Sequence, residues 1–244
     1  MASIAVVCML CMGLAAGMAE AKPIKRAAAE APAPPQGLVA AAIDPGVSLD
    51  WLPGTDTSVS GYYVYLKFNK HWKKMTRTPL ADNHYYDPEG VAGDVYAVSA
   101  VDSSGLESAY AEVLAQPATA VFYQEDHPSV SLQGMWMEEY CPAAQGGGLL
   151  ASGDAAARME FRFTGSQVKL ITARDNTCGS ANIYLDGNFV STVNLFSPDP
   201  LYQQIEVSLP GLPREEHVLT ILVLGYGNPV SASSYIVVDA FEVR

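Results

Sequence analysis

From Gln36 onward the sequence breaks into short runs rich in Val, Tyr, Leu and Ile, separated by Gly, Pro, Asp and Ser at intervals of about eight to twelve residues. In VSLDWLP (47–53), GYYVYLKF (61–68) and DVYAVSAVDSSGLES (94–108), alternate residues are apolar or aromatic. Successive side chains of a strand point to opposite faces, so this alternation puts one face into a core and leaves the other wetter. Further runs follow at MEFRFTGSQVKLITA (159–173), ANIYLDGNFVSTVNLF (181–196), LYQQIEVSLPGL (201–212), EHVLTILVLG (216–225) and YIVVDAFEV (235–243). No helical period accompanies them that would supply parallel βαβ crossovers. The pattern predicts an all-β chain of two antiparallel β-sandwich domains in tandem.

The rest of the chain frames those two sandwiches. Residues 1–21 hold a long apolar run ending in Ala19-Glu20-Ala21, a small-x-small site before Lys22, and read as a signal peptide despite having no Lys or Arg ahead of the run. Residues 22–35, KPIKRAAAEAPAPP, read as a semi-rigid Ala/Pro linker. Domains are expected over 36–117 and 121–244. The chain has 244 residues and a net charge of -12, which opposes binding to phosphate backbones and anionic lipid surfaces. No nucleic-acid partner and no membrane insertion of the mature chain are expected. Cys8 and Cys11 would leave with the signal, and an oxidising compartment favours a bridge between Cys141 and Cys178, with two separate thiols as the alternative.

The first half resembles a fibronectin type III domain from about Pro34 to Pro117. Trp51 stands for the second-strand core tryptophan, Tyr62 and Val64 for inward positions of the third strand, Tyr85 and Asp87 for a Y-x-D-like segment, and Tyr96 for the sixth-strand tyrosine. The resemblance implies a spacer or adhesive module without catalysis. If Tyr62, Val64 and Leu66 point inward, Tyr63 and Tyr65 point the other way, either packing against cross-strand neighbours or forming an aromatic platform. KFNKHWKKMTR (67–77) is the basic cluster of the chain. It reads either as an edge strand whose lysines discourage pairing or as a docking patch for an acidic polymer.

The second half resembles the galactose-binding-like jelly rolls allied to carbohydrate-binding modules. The resemblance rests on YQEDHPSVSLQGMW, the QGGG stretch, the F-x-F-T-G strands, the YLDG hairpin, EHVLTI and the closing VVDAFEV. It implies loops at one end that hold a sugar, with Arg174, Asp175 and Asn176 from ARDNTCGS, Tyr226, Asn228 and Tyr235 from GYGNPVSASSY, and Tyr140 as candidates. One departure stands out: relatives place an Asn just before the final strand, and Tyr235, Ile236 and Val237 occupy those positions here. Some relatives also hold a structural calcium, for which Gln124, Glu125, Asp126 and Asp239 are the available oxygen ligands. No other cofactor is expected.

The Asp186-Gly187-Asn188 run lacks the alternating ligand series of a calcium loop and reads as a hairpin turn. A three-residue loop pairing Leu185 with Phe189 would place Ile183, Phe189, Val193 and Leu195 on one face. Neither a Gly-x-Ser-x-Gly elbow nor a His-Glu-x-x-His pair occurs, and the four histidines are scattered, so no enzyme is expected. The sequence therefore reads as a secreted or cell-surface binding or adhesion protein that recognises extracellular glycan or another surface protein. The alternative is a self-assembling structural subunit of a surface layer, filament or envelope.

Overall fold

The computed structural model describes residues 30–244. The expected signal peptide, residues 22–29 of the linker, and Cys8 and Cys11 lie outside the described residues. No helix among the described residues is long and apolar enough to cross a membrane. Ala31–Arg244 form one contact unit, within which two hydrophobic cores develop separately.

The first sandwich is built from β1 (Gln36–Ala42), β2 (Val47–Leu52), β3 (Val59–Phe68), β4 (His71–Lys74), β5 (His84–Asp87), β6 (Val95–Asp102), β7 (Ala111–Leu114) and β8 (Gln116–Pro117). Its two sheets run β5-β2-β1-β8 and β4-β3-β6-β7. The alternation read from the sequence decides what lies between them. Val47, Leu49 and Trp51 enter from one sheet, and Tyr62, Val64, Tyr96 and Val98 from the other. Trp51 meets Tyr62 edge to face at 5.4 Å, an arrangement that matches the positive edge of one ring to the negative face of the other. The Tyr96 hydroxyl donates to Asp87 Oδ2 at 2.8 Å, so this buried carboxylate has a partner.

The second sandwich comprises β9 (Val121–Gln124), β10 (Val130–Gln133), β11 (Met137–Tyr140), β12 (Gly148–Ser152), β13 (Arg158–Arg174), β14 (Ser180–Leu185), β15 (Asn188–Asn194), β16 (Leu201–Val223) and β17 (Ile236–Val243). Its strands run β11-β12-β17-β13-β16-β14-β15, with β10 also on β13 and β9 on β17. The runs 201–212 and 216–225, which read as two strands, belong mostly to one, β16. It follows β13 through register shifts at Gly165/Gln167, Leu170/Ile171 and Thr172/Arg174. Each shift bends the pair, and β13 serves β10 with its first residues and β17 with its later ones. The core closes on Phe161 and Phe241, stacked at 4.1 Å, with Met159, Leu170, Ile183 and Ile221 around them.

The hairpin corrects the expected register. Leu185 pairs with Asn188 and Tyr184 with Phe189, and both turn residues have positive φ, Asp186 at 50° and Gly187 at 78°. That is a two-residue turn of the type whose twist matches a hairpin. A bulge then puts Ile183 opposite Ser191, so Ile183, Val193 and Leu195 still face the core. Phe189 instead lies outside, 59% exposed, against Tyr184. One extra residue in the strand changed its side of the sheet.

A corner of β16 docks on the first sandwich. His84 bridges Asp50 Oδ1 and the Gly211 carbonyl at 3.0 Å each, and the Arg214 amide donates to Asp50 Oδ1 at 2.9 Å. Gly211, with φ of 74°, lies against the Tyr86 ring where a Cβ would collide. Lys169 Nζ reaches Asp44 Oδ2 at 3.2 Å, and the Gln167 amide donates to the Asp44 carbonyl.

Candidate functional site

The loops expected to carry a ligand are laced together by their backbones. The Gly179 amide donates to the Tyr235 carbonyl, Ser180 to Tyr226, Tyr235 to Thr177 and Ala232 to Asn176, at 2.7 to 3.0 Å. Ser231 Oγ adds bonds to the carbonyls of Asn176 and Cys178. Residues 175–180 and 225–235 therefore form one end of the second sandwich, and Asp175, Asn176, Tyr226, Asn228 and Tyr235 gather there.

Gathering the residues does not free their side chains. Asp175 Oδ1 accepts both the amide and the hydroxyl of Thr177 at 2.7 Å. Burial works to raise its pKa, but these bonds and those from Cys178 outweigh it and hold the carboxyl below its usual range. Asn228 Oδ1 accepts the Val230 amide within its own turn. Arg174 points away, donating to the Asn194 carbonyl at 2.8 Å and pairing with Glu206 at 3.4 Å. Tyr140, at the end of the outermost strand β11, is 87% exposed. Tyr226 is exposed as well, and Asn176 presents its amide to solvent.

The expected bridge between Cys141 and Cys178 is corrected: both are free thiols. Cys178 pairs with Tyr235, just before β17. The loop that holds Cys141 instead reaches β17 at Asp239, through the Gln145 amide. Cys141 follows Tyr140 of β11, which lies two strands from β17 across β12, whereas Cys178 lies beside Tyr235 at the start of β17. Two strand spacings of about 4.8 Å exceed the reach of a disulfide, which needs Cα atoms within about 7 Å.

The cavity at this end involves residues that the sequence reading passed over. It encloses about 400 Å³ and is lined by Met135, Met137, Gly153, Asp154, Ser233, Ser234 and Tyr235. Two turns are tied together to make it. Ser152 Oγ donates to the Met135 carbonyl at 2.7 Å, and Asp154 Oδ2 accepts the Met135 amide at 3.1 Å. Gly134, with φ of 81°, allows that turn to fold onto Asp154. Tyr235 packs its ring against Gly153, where a Cβ would stand 3.1 Å from the ring. Of the residues singled out beforehand, Tyr235 alone lines this cavity. The visible signals were the turn formers Gly134 and Ser152-Gly153-Asp154, but nothing in the sequence brings those two turns together.

Chemically the cavity offers two thioether side chains and an aromatic ring on one hand, and a carboxylate and two serine hydroxyls on the other. Such a mixture of apolar wall and convergent polar groups suits a small polar ligand with an apolar face.

A separate carboxylate pair lies at the Gly146–Gly148 turn. Glu125 and Asp239 are buried, and Glu125 Oε2 and Asp239 Oδ2 have no hydrogen-bond partner. Burial first raises both, with the charges of Asp126 and Glu138 adding for Glu125 and that of Glu125 adding for Asp239, which rises to about 6. The Gln124 side-chain oxygen packs against Gly146 and Glu125 Oε1 against Gly148. Asp126 is exposed. Among the described residues no group of three or more His, Cys, Asp or Glu converges. A hard cation here would therefore draw on two carboxylates, the Gln124 amide oxygen, backbone carbonyls and water.

The fold defines an all-β protein of two sandwiches, each with its own core. No protein-family profile matches the chain. Over 79 residues it is 32% identical to the A type blood alpha-D-galactosamine galactosaminidase of Flavonifractor plautii, covering 32% of this chain and 7% of that enzyme. Among solved structures it is similar to an Fn3-like protein from Clostridium thermocellum at 26% identity, covering 37% of this chain and 97% of that one, with a TM-score of 0.32. It is also similar to a family 35 carbohydrate binding module from Clostridium thermocellum at 13% identity, covering 51% of this chain and 98% of that one, with a TM-score of 0.35.

Proposed function

We propose that this chain is an exported, non-catalytic glycan-binding protein whose ligand occupies the cavity between Met135, Met137 and Tyr235. The observation that carries the reading is the pairing of that apolar wall with Asp154, Ser233 and Ser234. A sugar ring has a C–H face for the wall and hydroxyls for the polar side. Glycoside hydrolysis ordinarily needs two carboxylates flanking the bond, and Asp154 is the single carboxylate lining this cavity. The 79 residues shared with a galactosaminidase are too small a part of it to bring its activity with them.

The same reading gives Glu125 and Asp239 a role in holding a structural calcium. Two buried carboxylates with orphaned oxygens fit a hard cation, which would remove the cost of leaving them unpaired. A second functional reading, self-assembly, draws on Phe189 and Val190, exposed on the terminal strand β15.

A glycan array, followed by calorimetry on the strongest hit, tests the main proposal. Tyr235→Ala and Asp154→Ala should each weaken binding about tenfold or more, as truncation of a central contact does. Binding undiminished in both variants rejects the cavity. Light scattering that shows concentration-dependent oligomers, lost in Phe189→Ser, would favour assembly instead.

A further inference from the structure

The outward face of the β4-β3-β6-β7 sheet carries a layer of rings with no part in the cavity above. Tyr65 lies opposite Lys74 and Ala97, Tyr63 opposite Ser99, and Lys67 opposite Trp72. Ala97 and Ser99 are fully buried even though they face away from the core. Aromatic side chains lie over them: Tyr65 and Tyr110 are 4.7 Å apart between ring centres, and Tyr110 meets Trp72 edge to face at 5.5 Å.

Charge fixes these rings in place. Lys74 Nζ sits 3.0 Å from the centre of the Tyr63 ring, and Lys67 Nζ sits 4.9 Å from that of Trp72. Glu107 accepts from the Tyr65 hydroxyl at 2.5 Å, from Ser99 Oγ at 2.8 Å and from Lys74 at 3.0 Å, while Glu112 pairs with Lys67 at 3.6 Å. Both carboxylates of the face are thus neutralised. Five cations and no acid occur in residues 67–77, on a chain whose net charge is -12. Lys70 and Arg77 are exposed and take part in no ion pair among the described residues, whereas Lys73, opposite Leu66, projects from the other face of β4. A shallow groove of about 410 Å³ runs beside Tyr65, Glu107 and Tyr110.

We propose that this face is a second binding site, for a carboxylate-bearing polysaccharide that lies across Tyr63, Trp72 and Tyr110 with its uronates on Lys70, in the β3-β4 turn, and Arg77, just beyond β4. Edge protection accounts for lysines on β4, but not for a pinned layer of partly exposed rings beside them. Sugar rings stack their C–H faces on aromatic side chains, and ammonium and guanidinium groups hold carboxylates through charge-assisted bonds. A nucleic acid is the weaker fit, because the whole-chain charge repels a polyphosphate beyond the patch itself.

Affinity electrophoresis of the full chain in gels containing polygalacturonate, its fully methyl-esterified form, or neither tests the site. Polygalacturonate should retard the protein, the neutral ester should not, and retardation should fade at high salt. Lys70→Glu with Arg77→Glu, both on the surface, should weaken binding about tenfold or more while leaving the melting temperature in place. Trp72→Ala should weaken it about tenfold as well. The proposal is overturned by no retardation in polygalacturonate, by equal retardation in the ester, by retardation undiminished in the Lys70→Glu, Arg77→Glu variant, or by tighter binding of oligo-dT.

Discussion

His217 Nδ1 stands 2.8 Å from Asp186 Oδ2, and its Nε2 stands 2.8 Å from the Pro213 carbonyl. Both ring nitrogens face acceptors, which favours the imidazolium. Burial works to lower the His217 pKa, but the Pro213 carbonyl and the Asp186 carboxylate outweigh it and raise the value above the ordinary 6.5. Asp186 also accepts the Val218 amide through Oδ1 at 2.8 Å. The turn residue of the hairpin therefore doubles as the anchor that ties the turn to β16.

That anchor predicts a pH dependence of stability. A histidine whose folded pKa is raised contributes fully below its unfolded value, and the contribution is lost as pH rises from about 6.5 through the folded value. Asp186→Asn keeps the turn and the Val218 bond but removes the charge. It should cost about 1 kcal/mol below pH 6, a modest figure because solvent screens a partly exposed carboxylate, and should flatten the decline toward pH 8. Melting temperature measured across that range for both proteins checks it; parallel curves would refute the anchor.

The Glu125–Asp239 pair has the opposite chemistry and gives its own signature. An acid whose folded pKa is raised to about 6 binds more protons folded than unfolded, so without a cation the stability falls as pH rises from about 4 through 6. Asp239→Asn should remove that fall and raise stability at pH 7. Calcium at about 100 times its dissociation constant should stabilise the unmutated chain by about 2.7 kcal/mol and leave Asp239→Asn unmoved. Thermal melts with calcium and with chelator decide the matter: identical melts count against a cation.

Lys169 is buried between Asp44 of the first sandwich at 3.2 Å and Glu242 of the second at 3.7 Å. Lys169→Met should destabilise by about 1 to 3 kcal/mol, less than a fully isolated buried pair would lose, because Arg244 still holds Glu242 at 2.8 Å. Urea unfolding measures the loss. Unfolding in two steps in the variant but one in the parent would show that this residue couples the two sandwiches.

The two thiols should differ in reactivity. Burial first, and then the Asp175 carboxylate, push the Cys178 thiol up to about 12, and its side chain is fully enclosed. Cys141 is partly exposed. Brief iodoacetamide treatment of the folded chain, read by peptide mass, should modify Cys141 and spare Cys178, since the thiolate is the nucleophile. Denaturing an untreated sample should expose both as free thiols, and a bridged peptide would contradict the fold.

The all-β class and the inward place of Ile183 were legible in the chain, because strand alternation and turn chemistry are local and repeat with a period of two, and the family likeness of the first half assigned Trp51, Tyr62, Val64 and Tyr96 to its core. The sequence also placed a turn at Asp186-Gly187, where both residues tolerate positive φ. Tertiary structure decided what depends on an inserted residue or on meetings between distant segments. A single bulge sent Phe189 outward. The strand β12, lying between β11 and β17, kept Cys141 from Cys178. Arg174, which looked free for a ligand, was drawn to Glu206, and Met135 met Asp154 only because β12 folds beside the 133–136 turn. Local chemistry fixes which face a residue occupies, whereas a site is an intersection of several strands, and no periodicity along one strand encodes which others it will meet.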